Sequence, residues 1–271
     1  MIGLLGCGYW GKILSNNQSF DVVYDPAYPE ISNVKSSDLL FEKCKSVFVA
    51  TPFDTHYSLV KKALMYGCDV FCEKPLCKTT SQVAELFEVA NKASKKLHVD
   101  WIYTYNPYIL WVLNRFKSGI CGDLISIKID RLNTQKVRSD ANAVSDLMCH
   151  DISILNLFSE SCSFSSIKRI NQNNAFGFFE LEVDNKNFHA LVHDSGNYPI
   201  KQIKIYFQFE KEIIIFDDAL KIMSINGKEQ HLSFNSPLSE SIKYFMSNDF
   251  KDINKKSFDM THRVTKYIEV F

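Results

Sequence analysis

Met1-Ile2-Gly3-Leu4-Leu5-Gly6-Cys7-Gly8-Tyr9-Trp10-Gly11 opens the chain and decides its fold. Met1–Leu5 is an apolar run of buried-strand length, and the glycines after it fit G-x-G-x-x-G at the start of a helix. A second apolar run, Phe20–Tyr24, leads into Asp25, 19 residues after Gly6. Each position has a mechanical reason. Gly6 permits the tight turn, Gly8 lets backbone amides approach a pyrophosphate, and Gly11 lets the helix pack close to the sheet. The helix N-terminus adds free N–H donors and partial positive charge. Asp25 can accept hydrogen bonds from both hydroxyls of an adenosine ribose and would repel a 2′-phosphate, which favours NAD over NADP. The competing reading is a glycine-tight turn without a ligand, with Asp25 a turn residue before Pro26.

Outward from this turn, apolar runs alternate with amphipathic segments. Ser46–Ala50, Asp69–Cys72 and Leu97–Ile102 read as further strands. Between them, Leu59, Val60, Ala63 and Leu64 recur at helical spacing until Gly67, and Val83, Leu86, Phe87 and Ala90 make one apolar face after the Thr79/Gln82 capping box. Strand–helix alternation of this kind means parallel strands joined by crossovers. Asn106-Pro107 starts another helix, which Gly119 ends. Beyond Gly122 the period changes to two, in Ile125–Arg131, in Phe179–Val183 before the turn Asp184–Asn187, and in Gln202–Phe209. The expected fold is therefore α/β followed by α+β. A Rossmann domain with a parallel doubly wound sheet (residues 1–119) precedes a domain with a mostly antiparallel open sheet (residues 120–271).

The 271 residues carry 31 Lys+Arg against 31 Asp+Glu, with 46% apolar residues. That balance argues against disorder and against a field that steers the molecule onto nucleic acid or an anionic membrane. No apolar stretch approaches the ~20 residues of a membrane span, and no removable leader precedes the glycines, so a cytoplasmic location is expected. Eight cysteines without a CxxC read as small reduced core residues, and no metal site is expected.

Glu73-Lys74-Pro75 follows the fourth strand, at the sheet end where doubly wound folds bind ligands. A lysine there can polarise a substrate hydroxyl as hydride leaves the same carbon; a solvated surface lysine is the alternative. Together with the glycine turn, Asp25, Ala50-Thr51-Pro52 and Thr55-His56, this tripeptide resembles the Gfo/Idh/MocA oxidoreductases. The resemblance is dense in the N-terminal half, continues through Tyr105-Asn106-Pro107, Gly122-Asp123-Leu124 and His150-Asp151-Ile152-Ser153, and thins after about residue 160. It implies a catalytic role for Lys74. It also implies a cofactor held by Gly6, Gly8, Tyr9, Trp10, Gly11 and Asp25, and by Thr51, Pro52, His56, Glu73 and Lys74. The opening glycine turn and Arg131-Leu132-Asn133 … Arg138 … Asn142 are similar to the branch that acts on nucleotide-activated sugars, such as UDP-N-acetylhexosamine or uronic acid 3-dehydrogenases. The implied activity is NAD-dependent hydride transfer on a sugar or sugar nucleotide, by a homodimer or homotetramer built through the C-terminal sheet. A free sugar or cyclitol substrate, or an NAD-binding regulator on the same fold, are the alternatives.

Asp146 and His150 stand four apart in an expected helix over Asn142–Phe158, which puts both on one face. His150 can exchange a proton near neutral pH, with Asp146 orienting it; a structural histidine is the alternative. Arg131, Asn133, Arg138 and Asn142, read as lying between a strand and that helix, are expected to hold substrate, since guanidinium forks suit phosphate and amides suit sugar hydroxyls. Trp101 reads as core. His189 and His193, in an expected strand, stand about 13 Å apart, too far to share a metal.

Overall fold

The computed structural model describes residues 1–134, 142–159, 161–171, 174–183, 186–195 and 199–270, and between 161 and 195 chiefly the backbone. The chain divides into two compact units, residues 1–101 with 238–270, and residues 102–237.

The first unit is built on parallel strands β1 (Ile2–Leu5), β2 (Val22–Tyr24), β3 (Ser46–Val49), β4 (Asp69–Cys72) and β5 (Leu97–Val99), in the order β2-β1-β3-β4-β5. The helices α1 (Tyr9–Ser15), α2 (Ser37–Lys43), α3 (Phe53–Met65) and α4 (Thr80–Lys92) make the crossovers. Strand order reverses between β1 and β3, so the ends of those two strands form the switch point at which such sheets take ligands. Stop and start signals in the sequence are realised locally. Thr79 Oγ1 accepts from the Gln82 N–H at 3.2 Å, and Gln82 Oε1 accepts from the Lys78 N–H at 3.1 Å, closing the start of α4. In the core Phe48 stacks on Phe71 with centroids 4.6 Å apart, and Phe245 meets both edge-on. The seven cysteines whose side chains are described are all buried.

Phe245 belongs to α7 (Pro237–Ser247), which with α8 (Phe250–Ile268) returns to this unit. The reason lies in β5. It is the edge strand, and its outward N–H groups need acceptors. Asn254 Oδ1 accepts from Leu97 N–H at 2.7 Å, Ser257 Oγ from Val99 N–H at 2.9 Å, and Thr261 Oγ1 from the Trp101 indole at 2.9 Å. Positions 254, 257 and 261 share one face of α8, so a single helix stripe serves the edge. The division therefore differs from the expected cut at residues 119/120: the last two helices complete the first unit, and the second begins at Ile102. β5 also stops at Val99, short of the expected Ile102, and residues Ile102–Tyr105 form a 3-10 turn.

The second unit contains α5 (Pro107–Lys117), β6 (Leu124–Leu132), a π-helical turn at Val144–Met148, α6 (Cys149–Phe158), and strands β7 (Ser161–Asn171), β8 (Asn174–Val183), β9 (Lys186–Ser195), β10 (Gln202–Phe209), β11 (Ile213–Asp217), β12 (Ile222–Ile225) and β13 (Lys228–Gln230). They form one eight-stranded sheet in the order β13-β12-β11-β10-β6-β9-β8-β7, antiparallel except where β6 meets β9. The helix expected over Asn142–Phe158 thus starts as a wider turn before becoming α-helical. Ile127 and Ile129 of β6 and Ile203, Ile205, Phe207 and Phe209 of β10 are buried, and Phe116, Phe158 and Phe207 form a chain of rings against them. The strand expected around His189 and His193 lies within β9. No helix among the described residues is long and apolar enough to cross a membrane.

Two measurements test this packing. N254A or S257A strands a buried backbone N–H of β5, so each lowers unfolding free energy in urea by about 1–3 kcal/mol. His98 of β5 is wholly buried, 4.9 Å from Phe71 by ring centroids, and burial pushes its pKa down from 6.5 to about 3. The unfolded chain therefore takes up a proton that the folded one refuses. Stability from this group is complete above pH 6.5 and falls as pH drops from 6.5 towards 3. Urea melts at pH 7 and pH 4 will show a smaller acid loss in H98Q than in the parent.

Candidate active site

At the switch point, Gly6 has φ +89°, and a Cβ there would lie 2.5 Å from the Ala50 carbonyl oxygen at the end of β3. A Cβ on Gly11 would lie 2.0 Å from the Gly6 oxygen, so α1 can approach the turn only with glycine at that position. Gly8 is different: a Cβ there would meet nothing within 4 Å. No side chain caps the start of α1. Asp25, 8% exposed, accepts from Cys7 N–H at 2.6 Å on Oδ2 and from Ala27 N–H at 2.8 Å on Oδ1. It is thus both the turn residue before Pro26 and the brace of the glycine turn. A carboxylate has about four acceptor positions, which leaves capacity for ribose hydroxyls. Open space over Gly8, uncapped N–H groups and a braced acid fit the pyrophosphate and ribose of a dinucleotide. Tyr9 is exposed and meets Trp10 edge-on at 5.8 Å.

The loops after β3 and β4 are fastened together. Thr51 Oγ1 and Thr55 Oγ1 are 2.7 Å apart, and Thr55 Oγ1 donates to the Pro52 carbonyl. His56 of α3 is wholly buried, with Nδ1 2.8 Å from the Pro75 carbonyl and Nε2 2.9 Å from the Thr51 carbonyl. The ring clamps the two loops to each other, which differs from the direct cofactor contact expected of it: no part of it is exposed to a ligand. Glu73 and Lys74 are 6% and 7% exposed, and the peptide bond to Pro75 is cis. Beside them stands Asp100, whose N–H donates to the Cys72 carbonyl at 2.9 Å. Its carboxyl is pushed up by burial, against the Ser241 hydroxyl and the Lys74 ammonium, which both pull it down. Sequence reading did not single out Asp100 or Ser241; only the charge of Asp100 inside an apolar run marked it.

In the second unit His150 lies on α6, its ring 5.4 Å from that of Tyr103. Asp146 sits four residues earlier in the π-helical turn. Arg131, expected to hold substrate, is 4% exposed and forked onto Asp151, from Nε at 2.8 and 3.0 Å and from Nη2 at 2.6 Å. Its Nη1 donates to the Tyr103 hydroxyl at 3.3 Å, and its guanidinium lies over the Tyr103 ring. The Tyr103 hydroxyl in turn donates to Asp218 Oδ2 at 2.8 Å. Arg131 therefore anchors α6 next to His150 from β6, because it falls on the same inward phase as Ile127 and Ile129. Asn142, also expected to hold substrate, turns its Oδ1 to the N–H groups of Val144 and Ser145 at 2.9 and 3.1 Å, and so caps the helix start. Asn133 follows β6 and is partly exposed. Arg138 lies outside the described residues.

Residues 5–101 match the oxidoreductase family with an NAD-binding Rossmann fold, Gfo/Idh/MocA. The uncharacterized oxidoreductase YfiI of Bacillus subtilis is 36% identical over 78 residues, 29% of this chain and 20% of that protein, so the match spans a fifth of that relative's length. Among solved structures, UDP-N-acetylglucosamine 3-dehydrogenase GnnA from Acidithiobacillus ferrooxidans superposes with a TM-score of 0.81 at 18% identity, covering 98% of this chain and 94% of that one. KijD10, a 3-ketoreductase from Actinomadura kijaniata in complex with NADP and TDP-benzene, gives 0.82 at 16% identity, covering 99% and 95%. The fold is thereby shared with these proteins, and residues 5–101 match an NAD-binding Rossmann fold.

The glycines separate folding from binding. G11A forces backbone apart and lowers stability by about 1–3 kcal/mol. G8A leaves the melting temperature unchanged yet weakens NADH binding about tenfold or more, read by calorimetry.

Proposed function

We propose, from the match of residues 5–101 to the Gfo/Idh/MocA oxidoreductases, that this protein moves hydride between NAD and a hydroxyl-bearing carbon of a nucleotide-activated sugar. The observation that carries the reading is Lys74, an ammonium 7% exposed at the carboxyl end of β4, in the sheet whose switch point holds the open glycine turn. Bound NAD would supply the hydride acceptor at nicotinamide C4.

Gly8 and the start of α1 hold the pyrophosphate, and Asp25 holds the ribose. The same carboxylate disfavours a 2′-phosphate, so NADH should bind more tightly than NADPH. Lys74 donates a hydrogen bond to the reacting oxygen and stabilises the negative charge that gathers there. His150 takes the hydroxyl proton on oxidation and returns it on reduction, a role that suits imidazole near neutral pH. Asp146, one helical turn before it, orients the ring. The sugar-nucleotide class draws its support from the shared fold of GnnA, named a UDP-N-acetylglucosamine 3-dehydrogenase, and of KijD10, a 3-ketoreductase in complex with TDP-benzene.

Incubation of NAD with C3-deuterated UDP-N-acetylglucosamine tests the reading. Deuterium is expected in NADH, and K74M is expected to lower kcat about 10²–10⁴-fold with NADH affinity unchanged. No label transfer from any sugar nucleotide, alongside transfer from a free sugar or cyclitol, would overturn the substrate class. No transfer from any of them would overturn the enzyme.

A further inference from the structure

Behind Lys74 lies a chain of buried polar groups to which the proposed reaction assigns no part. His98 Nε2 is 2.9 Å from Ser241 Oγ, and Ser241 Oγ donates to Asp100 Oδ1 at 2.7 Å. With its hydroxyl proton directed at the carboxylate, Ser241 can only accept from His98, so Nε2 carries the hydrogen. His98 and Ser241 are wholly buried, and Asp100 is 2% exposed. Three elements converge: β5 brings His98 and Asp100, α7 brings Ser241, and the turn after β4 brings Lys74. The backbone fixes the last approach. Val99 pairs with Cys72 in register and Asp100 N–H donates to the Cys72 carbonyl, which brings Asp100 level with Glu73, the residue before Lys74.

A buried carboxylate is unfavourable unless a charge and hydrogen bonds compensate it, and a buried ammonium has the same need. Here burial pushes the Asp100 carboxyl up, and the Ser241 hydroxyl and the Lys74 charge pull it back towards its ionised form. We infer that Asp100, held by the Ser241–His98 chain, is the counter-ion that keeps the Lys74 ammonium charged, and is thus a positioning residue for the proposed reaction. The inference rests on Lys74 being the group that meets the reacting oxygen.

The surroundings support this assignment. The titratable groups around the pair in the first unit include Cys72 and Glu73 before Lys74 in the chain, His56 of α3 on the Pro75 carbonyl, His98 of β5, and Tyr244 of α7, whose ring lies 6.0 Å from that of His98. α8 packs on β5 through Asn254, Ser257 and Thr261, none of which carries charge. Burial drives His98 towards its neutral form, so it adds a donor to the chain without adding a cation that would compete for Asp100. A neutral donor chain ending on a carboxylate favours its ionised form, and an ionised Asp100 favours protonated Lys74.

The test is a side-chain NMR titration of the Lys74 ε-carbon in the full chain, with K74R used to assign the resonance. In D100N the Lys74 midpoint is expected to fall by about one pH unit or more, since an opposite charge at short range shifts a neighbour by that much. S241A is expected to move it in the same direction by less. The alkaline limb of kcat against pH should follow, while KM for the sugar nucleotide stays within about twofold, an RT ln 2 change smaller than 0.6 kcal/mol. An unchanged or raised midpoint in folded D100N, judged by its amide spectrum, overturns the assignment. Should D100N not fold, S241A decides: a fall sustains the assignment and an unchanged midpoint overturns it. A lowered midpoint in a protein that transfers no hydride would leave the counter-ion standing and remove only the proposed reaction.

Discussion

The open side of β5 sets the terms for the first unit. A parallel sheet is covered on both faces by its crossovers, but its last strand still presents N–H groups outward, and those groups must find acceptors without becoming a template for another chain. The amide of Asn254 and the hydroxyl of Ser257 meet this need at N–H groups two residues apart, and Thr261 continues the row to the indole of Trp101. Asn254 is itself satisfied on its other side, donating to Asn91 Oδ1 at 2.8 Å and the Lys95 carbonyl at 2.9 Å. Because α8 must lie along this edge, α7 is carried in before it, and Ser241 and Phe245 reach the core. The environment of Lys74 is thus a downstream effect of how a sheet edge was closed.

The second unit solves a parallel problem with charge. Arg131 occupies an inward position of β6, and an inward guanidinium needs a partner whose geometry matches its fork. Asp151, wholly buried on α6, supplies it, and Tyr103 takes an Nη1 donor and the face of the guanidinium plane. Burial lifts the Tyr103 hydroxyl well above its ordinary range, so it stays a donor to Asp218 at any pH the protein meets. His150 precedes Asp151 in the chain, and its place follows from this network. The helix that carries the proposed proton acceptor is bolted to the sheet by the residue next to it.

Much of this was legible in the chain. The glycine spacing, Asp25 and the position of Glu73-Lys74-Pro75 after β4 follow from local rules, and β1–β5 lie where apolar runs placed them, with small differences at their ends. Several of the differences arise from pairing over long sequence separation. Nothing local tells Asn254 that Leu97 lacks an acceptor, so a cut at 119/120 leaves the closing helices outside the first unit. Arg131 was read as a loop residue although the alternation through Ile127 and Ile129 already placed it inward; the period was seen and not followed to its end. Asn142, expected to hold substrate, instead gives its amide oxygen to the N–H groups of Val144 and Ser145. His56 was read from a motif, and only its two carbonyl partners disclose a clamp. Asp100 and Ser241, 141 positions apart, meet solely because of the closed edge.

The order in which the chain visits its two units has a temporal meaning. On the ribosome the five parallel strands emerge before residues 102–237, and the helix that seals their border emerges after them. Throughout that interval β5 offers its bare N–H row to any neighbouring extended chain. Folding of the nucleotide-binding half therefore reaches its final state only when synthesis of the other half is over, and nascent protein is most prone to mispair in the time between.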